Sequence, residues 1–323
     1  MSRLAVRIEE LAKKYGSVVA LDGITLAVER GKIFGLLGTN GAGKTTTVKI
    51  LATLLKPDRG RAELCGIDVL SNPAAARAVI GYVPQEITVD PYLTAREHLD
   101  YYAGLYHVPA EAKERRIQEL LELLGLAAAA NRRARHFSGG MKKKLDLACG
   151  LVHQPQVALL DEPSLGLDVG MRRNVWSYIA SLRRGGSTVF LCTNYMDEAE
   201  KLCDEVAIID KGKIVALGSP EALKNELKRD LVALEVDHTD AQSQMALERL
   251  ELQLREWTIV RATERNGSEL KIYLEANETA LPHILQTAGA MGISIQAVTH
   301  RRPALEDVFL HYTGHGFSEG VER

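Results

Sequence analysis

The most specific chemistry in this chain lies in Gly38-Thr39-Asn40-Gly41-Ala42-Gly43-Lys44-Thr45-Thr46. The stretch matches G-x-x-x-x-G-K-[ST], in which a glycine-rich turn points successive backbone N–H groups inward onto phosphate oxygens. An apolar run, Ile33 to Leu37, precedes it and a helical pattern follows it. Such a loop needs that setting, because the helix N-terminus adds its dipole and unsatisfied donors to the anion site. Lys44 is then expected to reach the β- and γ-phosphates of a nucleoside triphosphate, and the Thr45 hydroxyl to ligate Mg²⁺.

A second constellation follows the continuous apolar run Val157-Ala158-Leu159-Leu160, which ends in Asp161-Glu162-Pro163. Such a run is typical of a strand buried on both faces of a parallel sheet. Carboxylates at its end face the crevice where open α/β sheets bind ligands. Phosphoryl transfer to water needs mostly positioning and neutralised charge. Asp161 is expected to organise Mg²⁺ with Thr45, while Glu162 orients and deprotonates the attacking water. Gln85, after the run Ile80–Val83, offers an amide to the metal or to that water. Ser138, Gly139 and Gly140 precede a further helix, so their hydroxyl and amides form another anion site.

The elements that must position these residues are legible in outline. Short β-type segments at Ala5–Ile8, Val18–Leu21, Ile24–Val28 and Ile33–Leu37 are punctuated by Gly23 and Gly31 as turns. Val48, Leu51, Ala52 and Leu55 keep helical spacing until Lys56-Pro57-Asp58-Arg59-Gly60 stops it. Ala62–Cys65 and Ile80–Val83 read as further strands. From Leu93 to about Leu126 helices are expected, broken at Val108-Pro109. Thr94 with Glu97, and Pro109 with Glu111, mark their starts. The tyrosines of this stretch (Tyr92, Tyr101, Tyr102, Tyr106) fit either a partner-binding surface or packing within a helical subdomain. Lys142-Lys143-Lys144, taken alone, reads as a solvated basic face. Val189–Cys192 is a second buried strand. Val206–Ile209 and Ile214–Leu217 flank a hairpin turn, and a helix near Ser219-Pro220 closes the first domain.

The remainder reads as a separate unit. Strands near Leu231–Val236, Thr258–Ala262, Leu270–Glu275 and Ile293–Val298 alternate with helices near Gln242–Leu254 and Thr279–Met291, before a closing helix at Ala304–Tyr312. The order β-α-β-β-α-β suggests a ferredoxin-like arrangement. The tail from Gly314 is expected to fray, and His283, His300, His311 and His315 are too dispersed for metal ligation.

At 323 residues the chain is long enough for two domains. A formal net charge of −2 gives no signal for nucleic acid or anionic lipid. Cys65, Cys149, Cys192 and Cys203 show no ligand spacing and read as reduced thiols. The N-terminus lacks a signal-peptide core, and no apolar run approaches the ~20 residues that span a bilayer. A cytoplasmic chain is expected.

Taken in order, Tyr15, the phosphate loop, Gln85, Ser138-Gly139-Gly140, Asp161-Glu162 and Ser164-Leu165-Gly166-Leu167-Asp168 resemble the nucleotide-binding subunit of an ATP-binding-cassette (ABC) transporter. Ser-Gly-Gly-Met-Lys and the segment Pro303 to Gly314, with Leu305-Glu306-Asp307-Val308-Phe309-Leu310, look like the ABC-2, daunorubicin-resistance-like exporter branch. The resemblance implies an α/β P-loop NTPase of ABC type over residues 1–225, with a helical subdomain at about 88–153 and a small α+β accessory domain at 226–323. It also implies Tyr15 stacking on adenine, and ATP shared between two cassettes, with Ser138, Gly139 and Gly140 meeting the opposite subunit's γ-phosphate and Asp168 at the seam. The implied partners are a second cassette, identical or different, and an ABC-2-type membrane permease. That places the chain on the inner face of the cell membrane, with ATP and Mg²⁺ as cofactors.

One position departs from the family pattern: Asn194 stands where its switch histidine belongs. Asparagine can donate an N–H to a γ-phosphate oxygen, but carries no charge and shuttles no proton. Weak hydrolysis with retained ATP binding is expected. The alternative is a regulatory, degenerate half of a heterodimer, which Glu162 argues against. A ribosome- or DNA-directed ABC protein is disfavoured, since neither a tandem cassette nor a long coiled-coil insertion is visible.

Overall fold

Three strands of this chain are buried at every position, and they form the centre of the sheet that carries the site: Ile33–Leu37, Val157–Asp161 and Thr188–Thr193. Their uninterrupted apolar sequences reflect cover on both faces. The computed structural model describes residues 3–227, 229–236, 241–275, 280–301 and 303–314. Thr279, His315 and the tail beyond Gly314, for which a helix start, a dispersed histidine and fraying are expected, lie outside the described residues.

The described chain divides into two compact units, one running to Pro220 and the other covering Glu221–Gly314. The first begins with β1 (Leu4–Tyr15), β2 (Val18–Glu29), β3 (Ile33–Leu37), α1 (Lys44–Leu51), β4 (Arg59–Leu64) and β5 (Ile67–Asp68). It continues with α2 (Pro73–Val79), β6 (Ile80–Val83), α3 (Ala95–Leu105), α4 (Ala110–Leu123) and α5 (Gly139–Leu151). Then follow β7 (Val157–Asp161), α6 (Val169–Arg184), β8 (Thr188–Thr193), α7 (Met196–Leu202), β9 (Glu205–Asp210) and β10 (Lys213–Gly218).

Two sheets result. One has the order β10-β9-β3-β8-β7-β6, parallel from β9 to β6 with β10 antiparallel at its edge. The other is antiparallel, β2-β1-β4-β5. A single apolar cluster joins them through α1: Ile8 and Leu26 from the antiparallel sheet, Val48 and Leu51 from α1, and Phe34 and Phe190 from the parallel one. Phe34 and Phe190 stack at 5.3 Å between centroids. The phosphate loop is thus carried between a central strand and a helix that is itself core.

Several expectations need correction. Val18–Leu21 and Ile24–Val28 are one strand, β2; Gly23, read as a turn, sits at a register shift against Leu11 and Ala12, as a bulge residue does. The first strand likewise runs to Tyr15 through an irregularity after Ile8. α1 ends at Leu51, because Thr53 turns left-handed (φ 62°) and Leu54 and Leu55 both donate to the Lys49 carbonyl. The strand expected at Ala62–Cys65 begins at Arg59, taking up Gly60 from the supposed helix stop. Helices α2, α6 and α7 had no counterpart in the sequence reading. The Thr94 start, in contrast, is a full capping box with Glu97. The tyrosines divide: Tyr92 and Tyr101 are exposed, whereas Tyr106 stacks on His153 at 3.7 Å.

The second unit contains α8 (Pro220–Glu226, from its second residue on), β11 (Arg229–Val236), α9 (Ala241–Arg255), β12 (Val260–Asn266), β13 (Glu269–Glu275), α10 (Ala280–Ala290), β14 (Ile295–Arg301) and α11 (Leu305–Thr313). Its strands pair antiparallel in the order β12-β13-β11-β14, which is the ferredoxin-like order for β-α-β-β-α-β. Leu247, Leu250 and Leu254 of α9 and Ile284 and Ala288 of α10 fill its core with the inward face of that sheet.

Candidate nucleotide site

Helix α1 has no side-chain cap; Gly43 occupies its N-cap in a left-handed conformation (φ 115°). That leaves the first-turn N–H groups directed out of the helix, available to an anion. Gly38, Ala42, Gly43 and Lys44 are buried, Thr39, Thr45 and Thr46 half-buried, and Asn40 and Gly41 exposed. The Lys44 ammonium donates to the carbonyls of Gly38 at 2.7 Å and Thr39 at 3.1 Å. It also lies 3.6 Å from Glu162 Oε1, and both side chains are only 4% exposed.

The neighbouring strand end completes the arrangement. Asp161 closes β7 and is wholly buried, and neither of its carboxylate oxygens has a hydrogen-bond partner. Burial raises its pKa, opposed by the nearby Thr45 hydroxyl, while Glu162 raises it further and Lys44 and Lys143 lower it. Glu162 follows in a left-handed conformation (φ 49°), and its N–H donates to the Cys192 carbonyl of β8 at 2.9 Å. A non-glycine residue held there stores strain, of the kind that clusters at working sites. The strain turns Glu162 out of the alternation of β7 and toward Lys44.

Lys44, Thr45, Asp161 and Glu162 therefore converge as the spacing implies. The other expected residues stand apart from them. Gln85 lies in an irregular segment after β6, with its side chain exposed. Tyr15 ends β1 at 49% exposure, with the Lys13 ammonium 5.9 Å from its ring centre. Ser138 is the exposed N-cap of α5, its hydroxyl accepting from Met141 N–H at 3.3 Å, and Gly139 and Gly140 form the first turn. Asp168 caps α6 in the same way, accepting from Met171 N–H at 2.8 Å. Among the described residues no hydrogen bond or ion pair links Tyr15, Ser138 or Asp168 to the phosphate loop. Asn194 sits half-buried between β8 and α7, its Oδ1 unpartnered.

Sequence reasoning missed two groups here. Lys143 and Lys144 are not a solvated face: they are 3% and 7% exposed. The helical spacing of Lys143, Asp146, Leu147 and Gly150, all buried on α5, was the available signal. Glu198 on α7 is also wholly buried, accepting from Trp176 Nε1 at 2.8 Å, with its second oxygen unpartnered. Burial raises its pKa against the opposing pull of the Thr193, Ser164 and Trp176 donors. A carboxyl with a raised folded-state pKa stabilises most below its unfolded value, and that contribution is lost as pH rises through the folded value. This group's contribution to wild-type stability should accordingly decline as pH rises above the ordinary glutamate value of about 4.5. Glu198→Gln should flatten this slope, which urea denaturation across that pH range reads directly.

Comparison with known proteins places this geometry. Residues 21–165 match the ABC transporter family, and residues 218–313 match the C-terminal domain of DrrA1-3-like ATP-binding proteins. The chain is 39% identical to the daunorubicin resistance ATP-binding protein DrrA2 of Streptomyces coeruleorubidus, over 98% of this chain and 97% of that one. It is 36% identical to the Nod factor export ATP-binding protein I of Ralstonia nicotianae, over 95% and 93% of the two chains. A solved ATP-binding subunit of an ABC transporter superposes with a TM-score of 0.64 at 30% identity, covering 69% of this chain and 92% of that structure. The chain belongs to the ABC transporter family, as an ATP-binding subunit and ATPase of its daunorubicin-resistance-like branch.

Proposed function

We propose that this subunit energises export through a separate membrane-spanning partner of the ABC-2 type, working on the inner face of the cell membrane as one of two cassettes that close on ATP. The observation that carries the catalytic part is the buried convergence of Lys44 and Glu162 beside Asp161. Export is supported by relatives named for daunorubicin resistance and Nod factor export. The reading assigns the membrane path to another chain; among the described residues no helix is long and apolar enough to cross a membrane.

Magnesium fits the residues present, because two buried, unpartnered carboxylate oxygens beside a threonine hydroxyl form a hard-oxygen donor set. Thr45 and Asp161 would hold the ion, with Gln85 contributing its amide. When bound, it would neutralise charge on the β- and γ-phosphates. Lys44 exchanges its loop carbonyls for phosphate oxygens, since its ammonium donates three hydrogens. Glu162 orients a water for in-line attack and takes its proton. Tyr15 offers a face for adenine. Ser138 and Gly139, exposed at a helix start, and the half-buried Gly140 beside them fit the γ-phosphate of a second cassette, with Asp168 at the seam. Closure excludes water from the site and couples hydrolysis to movement of the partner.

Asn194 supplies a neutral donor where the family pattern has an imidazole. Loss of one charge-stabilising donor costs about 10²–10³ in rate at a transition state. Steady-state hydrolysis by the purified chain should therefore be slow, and Asn194→His should raise kcat by about tenfold or more. Equal turnover of the two proteins would show that the amide suffices.

A further inference from the structure

Helix α5 does more than present Ser138-Gly139-Gly140 at its start. Lys143 and Asp146, three residues apart on α5, are 3% and 5% exposed. Lys143 Nζ donates to the carbonyls of Pro84 and Gln85, each at 2.9 Å. Asp146 Oδ1 accepts from the Thr88 hydroxyl at 2.6 Å and from the Thr88 N–H at 3.3 Å. Segment 84–88 follows β6 without helix or strand of its own, and the side chains from Gln85 to Thr88 are exposed. Apolar burial therefore does not fix its path; the two α5 side chains hold its two ends. Charged groups buried this deeply are costly, the more so for Asp146, whose Oδ2 has no hydrogen-bond partner, and apolar residues would pack the same space at lower cost. What the charges provide is the grip on Gln85 and Thr88.

We propose that Lys143 and Asp146 are positioning residues for ATP hydrolysis: they fix the backbone at 84–88 so that the Gln85 amide stays aimed at the reacting end of the nucleotide. The inference rests on the reading of Gln85 given above. It adds a consequence of geometry, because the clamp and Ser138-Gly139-Gly140 share one helix. A displacement of Gln85 by the nucleotide is then felt at the surface offered to the second cassette. The reverse holds equally, since coupling between two sites is reciprocal.

Four variants of the full chain test this: Lys143→Met, Thr88→Val, Gln85→Ala, and Thr88→Val combined with Gln85→Ala. Lys143→Met and Thr88→Val should each lower kcat by about 10- to 100-fold through misplacement of Gln85, with ATP affinity unchanged within about twofold. Amide hydrogen exchange across 84–90 should quicken in both before any nucleotide is added. The combined variant should be no slower than Gln85→Ala alone, because Thr88 acts through Gln85. Unchanged exchange at 84–90, or losses that multiply in the combined variant, would overturn the clamp while leaving the role of Gln85 standing. Wild-type turnover in Gln85→Ala would instead remove the role of Gln85 and the clamp with it. Should Lys143→Met fail to fold, Thr88→Val loosens the same segment from its other end and carries the test.

Discussion

Glu162→Gln should lower ATP turnover by about 10²–10⁴-fold and leave ATP binding intact, if Glu162 is the proposed base. The two halves of this expectation come from different atoms. On the proposed reading phosphate binding belongs to the loop amides and Lys44, which the Gly38 and Thr39 carbonyls hold in the loop before ATP arrives, whatever occupies position 162. Proton removal belongs to a carboxylate, and an amide of the same shape cannot accept the proton. The substitution is nearly isosteric, so the left-handed turn at Glu162 and its N–H bond to Cys192 persist. Turnover measured beside equilibrium nucleotide binding separates the halves. A variant that hydrolyses ATP at the wild-type rate would place the base elsewhere. A variant that loses ATP binding as well would mean that the Lys44–Glu162 pair holds the loop together. In a Glu162→Gln chain that binds without hydrolysing, ATP should also stabilise the closed pair of cassettes, which light scattering would register as a doubled mass.

What could be read from the sequence, and what could not, follows from the range of the forces involved. The phosphate loop, the Asp161-Glu162 pair and the strands Ile33–Leu37 and Val157–Leu160 are set by local rules: turn chemistry and continuous apolar runs. The C-terminal order β-α-β-β-α-β was equally legible, and its sheet order follows because few un-knotted topologies satisfy it. Two classes of feature escaped. Gly23 looks like a turn and is a bulge, because the partner strand that absorbs it lies about ten residues away. Lys143, Asp146 and Glu198 look like surface charge and are core, because their partners, Pro84, Gln85, Thr88 and Trp176, are distant in sequence. Charged residues are read as solvated unless a partner is known, and tertiary structure alone names the partner. The strain at Glu162 belongs to the same class: nothing in Asp-Glu-Pro announces a left-handed glutamate, yet that turn is what brings its carboxylate within 3.6 Å of Lys44.

Gly43→Ala should abolish ATP binding, whereas Gly41→Ala, two residues away in the same loop, should not. Both glycines are left-handed, with φ of 115° and 82°, so either substitution incurs backbone strain of about 1–3 kcal/mol. They differ in their surroundings. A Cβ on Gly43 would lie 2.6 Å from the Ala20 carbonyl oxygen and 2.7 Å from Leu21 Cδ2, whereas one on Gly41 meets nothing within 4 Å. Ala20 and Leu21 belong to β2, which is fixed by its ladder to β1, so the loop must yield rather than the strand. Gly43 is also the N-cap of α1, and moving it swings the first-turn N–H groups proposed to bind the phosphates. Displacement of the order of an ångström at such a site is enough to cost about 10²-fold. Calorimetric titration with ATP should show no measurable binding to Gly43→Ala, and affinity within about tenfold of wild type for Gly41→Ala. Thermal unfolding should show the larger drop for Gly43→Ala, at roughly 2–4 °C per kcal/mol for a domain of this size. Wild-type ATP affinity in Gly43→Ala would mean that the phosphates are not held at the start of α1, and the assignment of Lys44 and Thr45 would fall with it.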